Sequence, residues 1–134
     1  MSATEYPPVP GLLKTPSYSH VAVASGARTI YLAGQVPADA EGRLVGGTDL
    51  EAQATQVMEN IGTALAAAGA SFADVVKITT YVVDYKPEHR ALISAVRAKF
   101  FGDRAAPPAS TLLGVAALAS PDWLIEIEAV AVVG

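Results

Sequence analysis

Residues 74–84 read DVVKITTYVVD, and this run narrows the possible folds more than any other. Valine, isoleucine, threonine and tyrosine favour a pleated, half-buried setting. Alternation places Val76, Ile78, Thr80 and Val82 on one face, and Lys77, Thr79 and Tyr81 on the other. Both faces carry large side chains, so the run is read as a central strand. A run of helical period stands on each side of it. Leu50, Ala54, Val57, Ile61 and Leu65 recur at three- and four-residue spacing before it, and Leu92, Ile93, Val96 and Phe100 follow it. Two amphipathic helices each need one apolar surface, and one face of a single sheet can supply both.

The remaining elements follow from punctuation. The first helix is expected to begin at Thr48, with Glu51 completing a capping box, and to stop at Gly69. Pro87 suits the first turn of the second helix, and Gly102 ends it. HVAVASGARTIYLAG, residues 20–34, reads as two strands joined at SGAR, with pairing stopping before Pro37. STLLGVAAL and LIEIEAVAVV read as the last two strands. The order β-β-α-β-α-β-β gives an α+β fold in a single domain over residues 17–134. Residues 1–16, with four prolines, read as an extended arm. Both helices then lie on one sheet face. Tyr81 and Val130 on the other face need cover, and a second subunit is the simplest one.

Composition narrows the function classes. The chain has 134 residues, 51% apolar and 16% charged, which suits one globular domain with a real core. Net charge is −4 and the nine Lys and Arg are scattered, so no nucleic-acid partner is expected. The absence of cysteine excludes disulfides, thiolate nucleophiles and Cys-based metal sites. No run approaches the ~18 apolar residues of a membrane span. The opening MSATEYPPVPGLL lacks the basic and apolar regions of a secretory signal. No membrane association and a cytoplasmic location are therefore expected.

Chemistry concentrates near the C-terminus. In LIEIEAVAVV, Glu126 and Glu128 share a face with Leu124, Val130 and Val132. Apolar neighbours suggest partial burial, which turns a carboxylate into a useful proton carrier. The alternative is a pair of edge or rim glutamates, salt-bridged to neighbours. Gly34-Gln35 ends a strand, where glycine permits close backbone approach and the glutamine amide can fix a polar neighbour. PPASTLLGV, residues 107–115, sets Ser110 and Thr111 at the start of a strand. His20 opens a strand, and His89, beside Glu88 and Arg90, is read as solvated. Two histidines are weak grounds for a metal site, and none is expected. No G-x-S-x-G elbow and no phosphate loop occurs.

YLAGQVP, the segment AQATQVMENIGTALAAAGASFADVVKITTYVVD, PPAS and IEIEAVAV together resemble the Rid family. It is also called the YjgF/YER057c/UK114 family, with the older label L-PSP endoribonuclease. The resemblance runs from Tyr18 to Val133. It implies a chorismate-mutase-like fold, a homotrimer, and small-molecule clefts between subunits. The best-known members hydrolyse enamines and imines derived from amino acids, without a cofactor. In them an arginine in a P-A-R-S motif grips the substrate carboxylate, and a glutamate in the I-E-I-E strand helps place water. Carried over residue by residue, the glutamate falls on Glu126, the turn on Ala33, Gly34 and Gln35, and a tyrosine on Tyr18. The arginine position holds Ser110, followed by Thr111.

The resemblance thus implies a hydrolase or deaminase of altered specificity, taking a neutral substrate or one that finds its cation elsewhere. Arg104, six residues before Ser110, could reach that position only through a folded-back loop or from a neighbouring subunit. The alternative is a non-catalytic trimeric module for small-molecule binding or protein interaction. A ribonuclease, implied by the older label, is disfavoured by the acidic charge.

Overall fold

The computed structural model describes residues 3–134. Strands β1 (Ala3–Glu5), β2 (Val23–Ser25) and β3 (Arg28–Gln35) precede helix α1 (Leu50–Ala67). Strand β4 (Val75–Val83), helix α2 (His89–Phe101) and strands β5 (Ala109–Val115) and β6 (Ile125–Val133) follow. The main sheet has the order β3-β6-β4-β5. β4 and β5 run parallel across the α2 crossover, and the other pairs are antiparallel. The α+β reading and the β-β-α-β-α-β-β order therefore hold. One short strand is added: Ala3–Glu5, within the segment read as an arm, pairs with β2.

Both helices pack on one face of the sheet. Val57, Met58, Ile61 and Leu65 of α1 meet Ile93 and Val96 of α2 over Ile78, Val82, Ile125 and Ile127, all essentially buried. Burying a side chain of this size contributes about 1.5–3 kcal/mol. β4 and β6 are interior strands, so Glu126 and Glu128 do not lie on a sheet edge. The face of β4 differs from strict alternation at its start. The register shifts between Val75 and Lys77, so Val75 joins Ile78, Thr80 and Val82 in the core, and Val76 is only half-buried. A bulge moves the first residue to the other face.

The helix starts also depart from the expected ones. Asp49, not Thr48, caps α1, its carboxylate accepting from the Ala52 amide at 3.3 Å. Aspartate is as good a cap as threonine, and here the chain turns one residue later. Gly69 follows the last turn at φ +77°, a conformation that disfavours any side chain. Pro87 lies just before α2, which begins at His89. His89, read as solvated, is half-buried, and its Nδ1 accepts from the Lys86 amide at 3.0 Å.

Gln53 ties the site-bearing end of the sheet to α1. Completely buried, it donates to the carbonyls of Gly47 at 2.7 Å and Asp122 at 3.0 Å, and accepts from the Leu124 amide at 2.8 Å. It thereby anchors the loop that leads into β6. Removing its amide takes the partner from three part-buried hydrogen bonds, each worth about 0.5–1.5 kcal/mol. Gln53→Ala is expected to lower stability by ~3 kcal/mol in urea denaturation, whereas Thr55→Ala, on the exposed side of α1, is expected to change it by less than ~0.5 kcal/mol.

Candidate functional site

Two groups of polar side chains lie on opposite faces of the main sheet. The first occupies the face away from the helices. Alternation along β6 sends Ile125, Ile127 and Ala129 into the core and leaves Glu126 and Glu128 on the open face, half-buried. Tyr81 stands across from Glu126 in the β4–β6 register. Its hydroxyl donates to Glu128 Oε1 at 2.6 Å. Glu126 has no hydrogen-bond donor among the described residues, so its carboxylate is the free one of the pair.

The end of β3 forms the wall beside Glu126. Leu32 pairs with Ala129 and Gln35 with Ile127, so Ala33 and Gly34 together oppose a single residue of β6. Such a bulge re-aims the strand. A Cβ on Gly34 would overlap the Glu126 carboxylate, so only glycine leaves that carboxylate its place. The Gln35 amide donates back to the Ala33 carbonyl at 3.1 Å. Asn60 of α1 holds the continuation of the chain, donating to the carbonyls of Val36 at 2.8 Å and Ala38 at 3.0 Å.

The second group lies on the helix side, at β5. Ser110 and Thr111 are neighbours in sequence, so a pleated strand points them to opposite faces. Thr111 is exposed on the open face and bonds to Lys77 Nζ at 2.8 Å. Ser110 faces α2, where Arg97 Nη1 donates to its Oγ at 3.2 Å. Tyr18 shares that cleft. Ser19 bridges to Ala109, its amide bonding to Pro108 O at 3.1 Å and its hydroxyl to Pro107 O at 2.6 Å. These contacts lay the chain along β5 and place Tyr18 in the wall of the cleft. The cleft has a volume of about 550 Å³, and Tyr18, Tyr85, Arg90, Arg97 and Ser110 are among its walls.

The residues expected to form one site thus divide. Ala33, Gly34, Gln35, Glu126 and Thr111 belong to the open face or its rim; Tyr18 and Ser110 belong to the cleft under α2. Within one chain, Glu126 and Ser110 cannot touch the same small ligand, because the sheet stands between them. Arg104 does not reach Ser110. Its guanidinium donates to Phe72 O at 3.0 Å and to the Tyr6 hydroxyl at 2.6 Å.

Arg97 is the residue that pattern reading passed over. It is 8% exposed, its Nε has no hydrogen-bond partner, and its guanidinium lies 5.8 Å from the Phe101 ring centre. Burial pushes it down from 12.5 to about 10, so it stays charged at neutral pH. The signal was available: position 97 is four residues after Ile93 and adjacent to Val96, inside the buried stripe of the helix. An arginine there is out of place as packing.

Comparison with known proteins places these features in context. The family model described as Endoribonuclease L-PSP matches residues 12–133. A RutC family protein of Pyrococcus horikoshii is 42% identical over 103 residues, covering 76% of this chain and 77% of that one. A 2-iminobutanoate/2-iminopropanoate deaminase of Capra hircus is 40% identical over 108 residues, covering 80% and 74%. A crystal structure of a Rid-family protein of unknown function from Yersinia pestis superposes with a TM-score of 0.89 at 42% identity, over 96% and 98% of the two chains.

The hydrogen bond to Glu128, with lesser contributions from burial and from the charges of Glu128 and Glu126, raises Tyr81 above the usual phenol value of 10.0. A raised phenol favours the protonated form in the folded state. Its stabilising effect is complete below about pH 10 and is lost as pH climbs through the raised value. Absorbance titration at 295 nm is expected to show a late-ionising phenol that Tyr81→Phe removes. The stability difference between wild type and Tyr81→Phe should stay constant from pH 6 to 9 and shrink above pH 10.

Proposed function

The chain belongs to the endoribonuclease L-PSP family, also known as the Rid family, and on that premise we propose that it hydrolyses a small imine or enamine in a cleft shared by two subunits of a homotrimer. The named activity of the goat relative, 2-iminobutanoate/2-iminopropanoate deamination, supports the reaction class. In that class water adds to the carbon of C=N. The resulting carbinolamine collapses to C=O and expels ammonia, so one water is consumed for each ammonia released.

The observation that carries the reading is the free, half-buried carboxylate of Glu126 held over Gly34. A carboxylate with no protein donor can accept a proton from a positioned water as the water attacks. The neighbouring Tyr81–Glu128 bond keeps the second carboxylate occupied, so the two acids have different tasks. Division of the site by the sheet supports the shared cleft: Glu126 of one subunit can meet a ligand at Ser110 only if that ligand sits on another. Tyr31, 78% exposed on the open face, supports burial of that face in an assembly.

A second reading is a trimeric module that binds a small molecule or a protein without turnover. It is favoured by Ser110 standing where the deaminase motif has arginine. Hydrolysis of 2-iminopropanoate, generated in place and followed by ammonia release, separates the two. The wild type is expected to exceed buffer, and Glu126→Gln to lower kcat by ~100-fold or more with little change in Tm. Binding of the keto acid with no acceleration of any screened imine would select the module instead. Gly34→Ala displaces the end of a flexible side chain, so it should cut kcat at least tenfold while the protein stays folded. A monomer by light scattering would overturn the shared cleft.

A further inference from the structure

Arg97 is almost wholly out of water and has no acid beside it among the described residues. Desolvating a cation is costly unless it is paired. Arg97 forms no ion pair among the described residues; its one side-chain hydrogen bond there is to the neutral Ser110 hydroxyl, and its guanidinium also lies over the Phe101 ring. It lines the cleft of about 550 Å³, and no aspartate or glutamate lines that cleft with it. Lys14 and Arg90 stand at its exposed rim. A chain of net charge −4 has therefore gathered three cations and no anion around one cavity.

We propose that Arg97 is the carboxylate anchor of this cleft: helix α2 supplies from the opposite wall the guanidinium that Ser110 lacks, and the ligand is a small 2-oxo or 2-imino acid. The proposal rests on the reading of the cleft as the ligand site, and it takes the alternative in which the substrate finds its cation elsewhere. Ser110 orients the guanidinium through its Oγ and leaves the other terminal N–H donors for the anion. A guanidinium presents two parallel donors to a carboxylate, a geometry a lysine cannot copy. Tyr18, held in the wall of the cleft by the Ser19–Ala109 bridge, closes the other side. Arg90 and Lys14, being exposed, steer the anion in and contribute less to holding it.

The test is equilibrium binding by calorimetry, with pyruvate and 2-oxobutanoate as probes and 2-oxopropanamide as the uncharged control. Wild type is expected to bind both acids and not the amide. Arg97→Lys should weaken binding at least about tenfold, and Arg97→Met should abolish it. Arg90→Ala should weaken it by about threefold or less, mainly at low salt. Because the buried charge is unpaired without ligand, Arg97→Met should melt at or above the wild-type temperature. Ser110→Arg in the Arg97→Met background should restore binding, because it returns a guanidinium to the same cleft from the strand. Unchanged affinity in Arg97→Met overturns the proposal. So does loss of binding that Ser110→Arg fails to restore, with a lowered melting temperature, since Arg97 is then packing alone. Imine hydrolysis by wild type without any preference for acid over amide overturns the anchor and leaves the hydrolase standing. Carboxylate binding that depends on Arg97 but brings no turnover upholds the anchor and removes the hydrolase.

Discussion

Strict alternation along β6 governs the molecule. This strand lies between β3 and β4, so every second residue must enter the core under the helices. Ile125, Ile127, Ala129 and Ala131 do so. Their intervening neighbours have no choice but the other face, and two of them are glutamates. A one-residue slip would drive both carboxylates into the apolar layer at a cost of several kcal/mol each. The register that builds the core is thus the register that presents Glu126. The same rule separates Ser110 from Thr111 on β5. It puts the carboxylate chemistry and the cationic cleft on opposite sides of one sheet, and makes a shared site a matter of assembly.

Polar anchors convert this architecture into a placed site. Gln53 holds the loop before β6, Asn60 holds the chain after β3, and Ser19 fixes the segment carrying Tyr18 to the edge of β5. Each satisfies backbone groups that no helix or strand partner reaches, which is why loops here follow one path. Gly34 acts by absence: the space its missing side chain leaves is taken by Glu126.

The cationic cleft follows a different logic. A core optimised only for stability would place an apolar residue at position 97, flush with Ile93 and Val96. The buried guanidinium instead leaves Nε without a hydrogen-bond partner, a cost to stability that packing does not explain. In the proposed reading the family supplies the general chemistry, and the cation comes from Arg97 on α2 where β5 carries Ser110.

Sequence alone determined the fold class, the element order and the two-sided nature of the central strands. These depend on local periodicity, and apolar spacing of two or 3.6 residues is written in the chain itself. It also put forward Tyr18, Ala33, Gly34, Gln35, Ser110, Thr111 and Glu126 as candidates, through motif and resemblance. Tertiary structure decided the rest. The bulge at Val75–Lys77, the cap at Asp49, Gln53 as the buried anchor and the pairing of Arg97 with Ser110 all join residues distant in the chain or shifted by one position. Ser110 lies thirteen positions after Arg97, and the crossover that brings them together is set by packing of α2 on the sheet. No local pattern encodes which wall of a cavity will face a given side chain, because that depends on how two independently formed elements settle against each other.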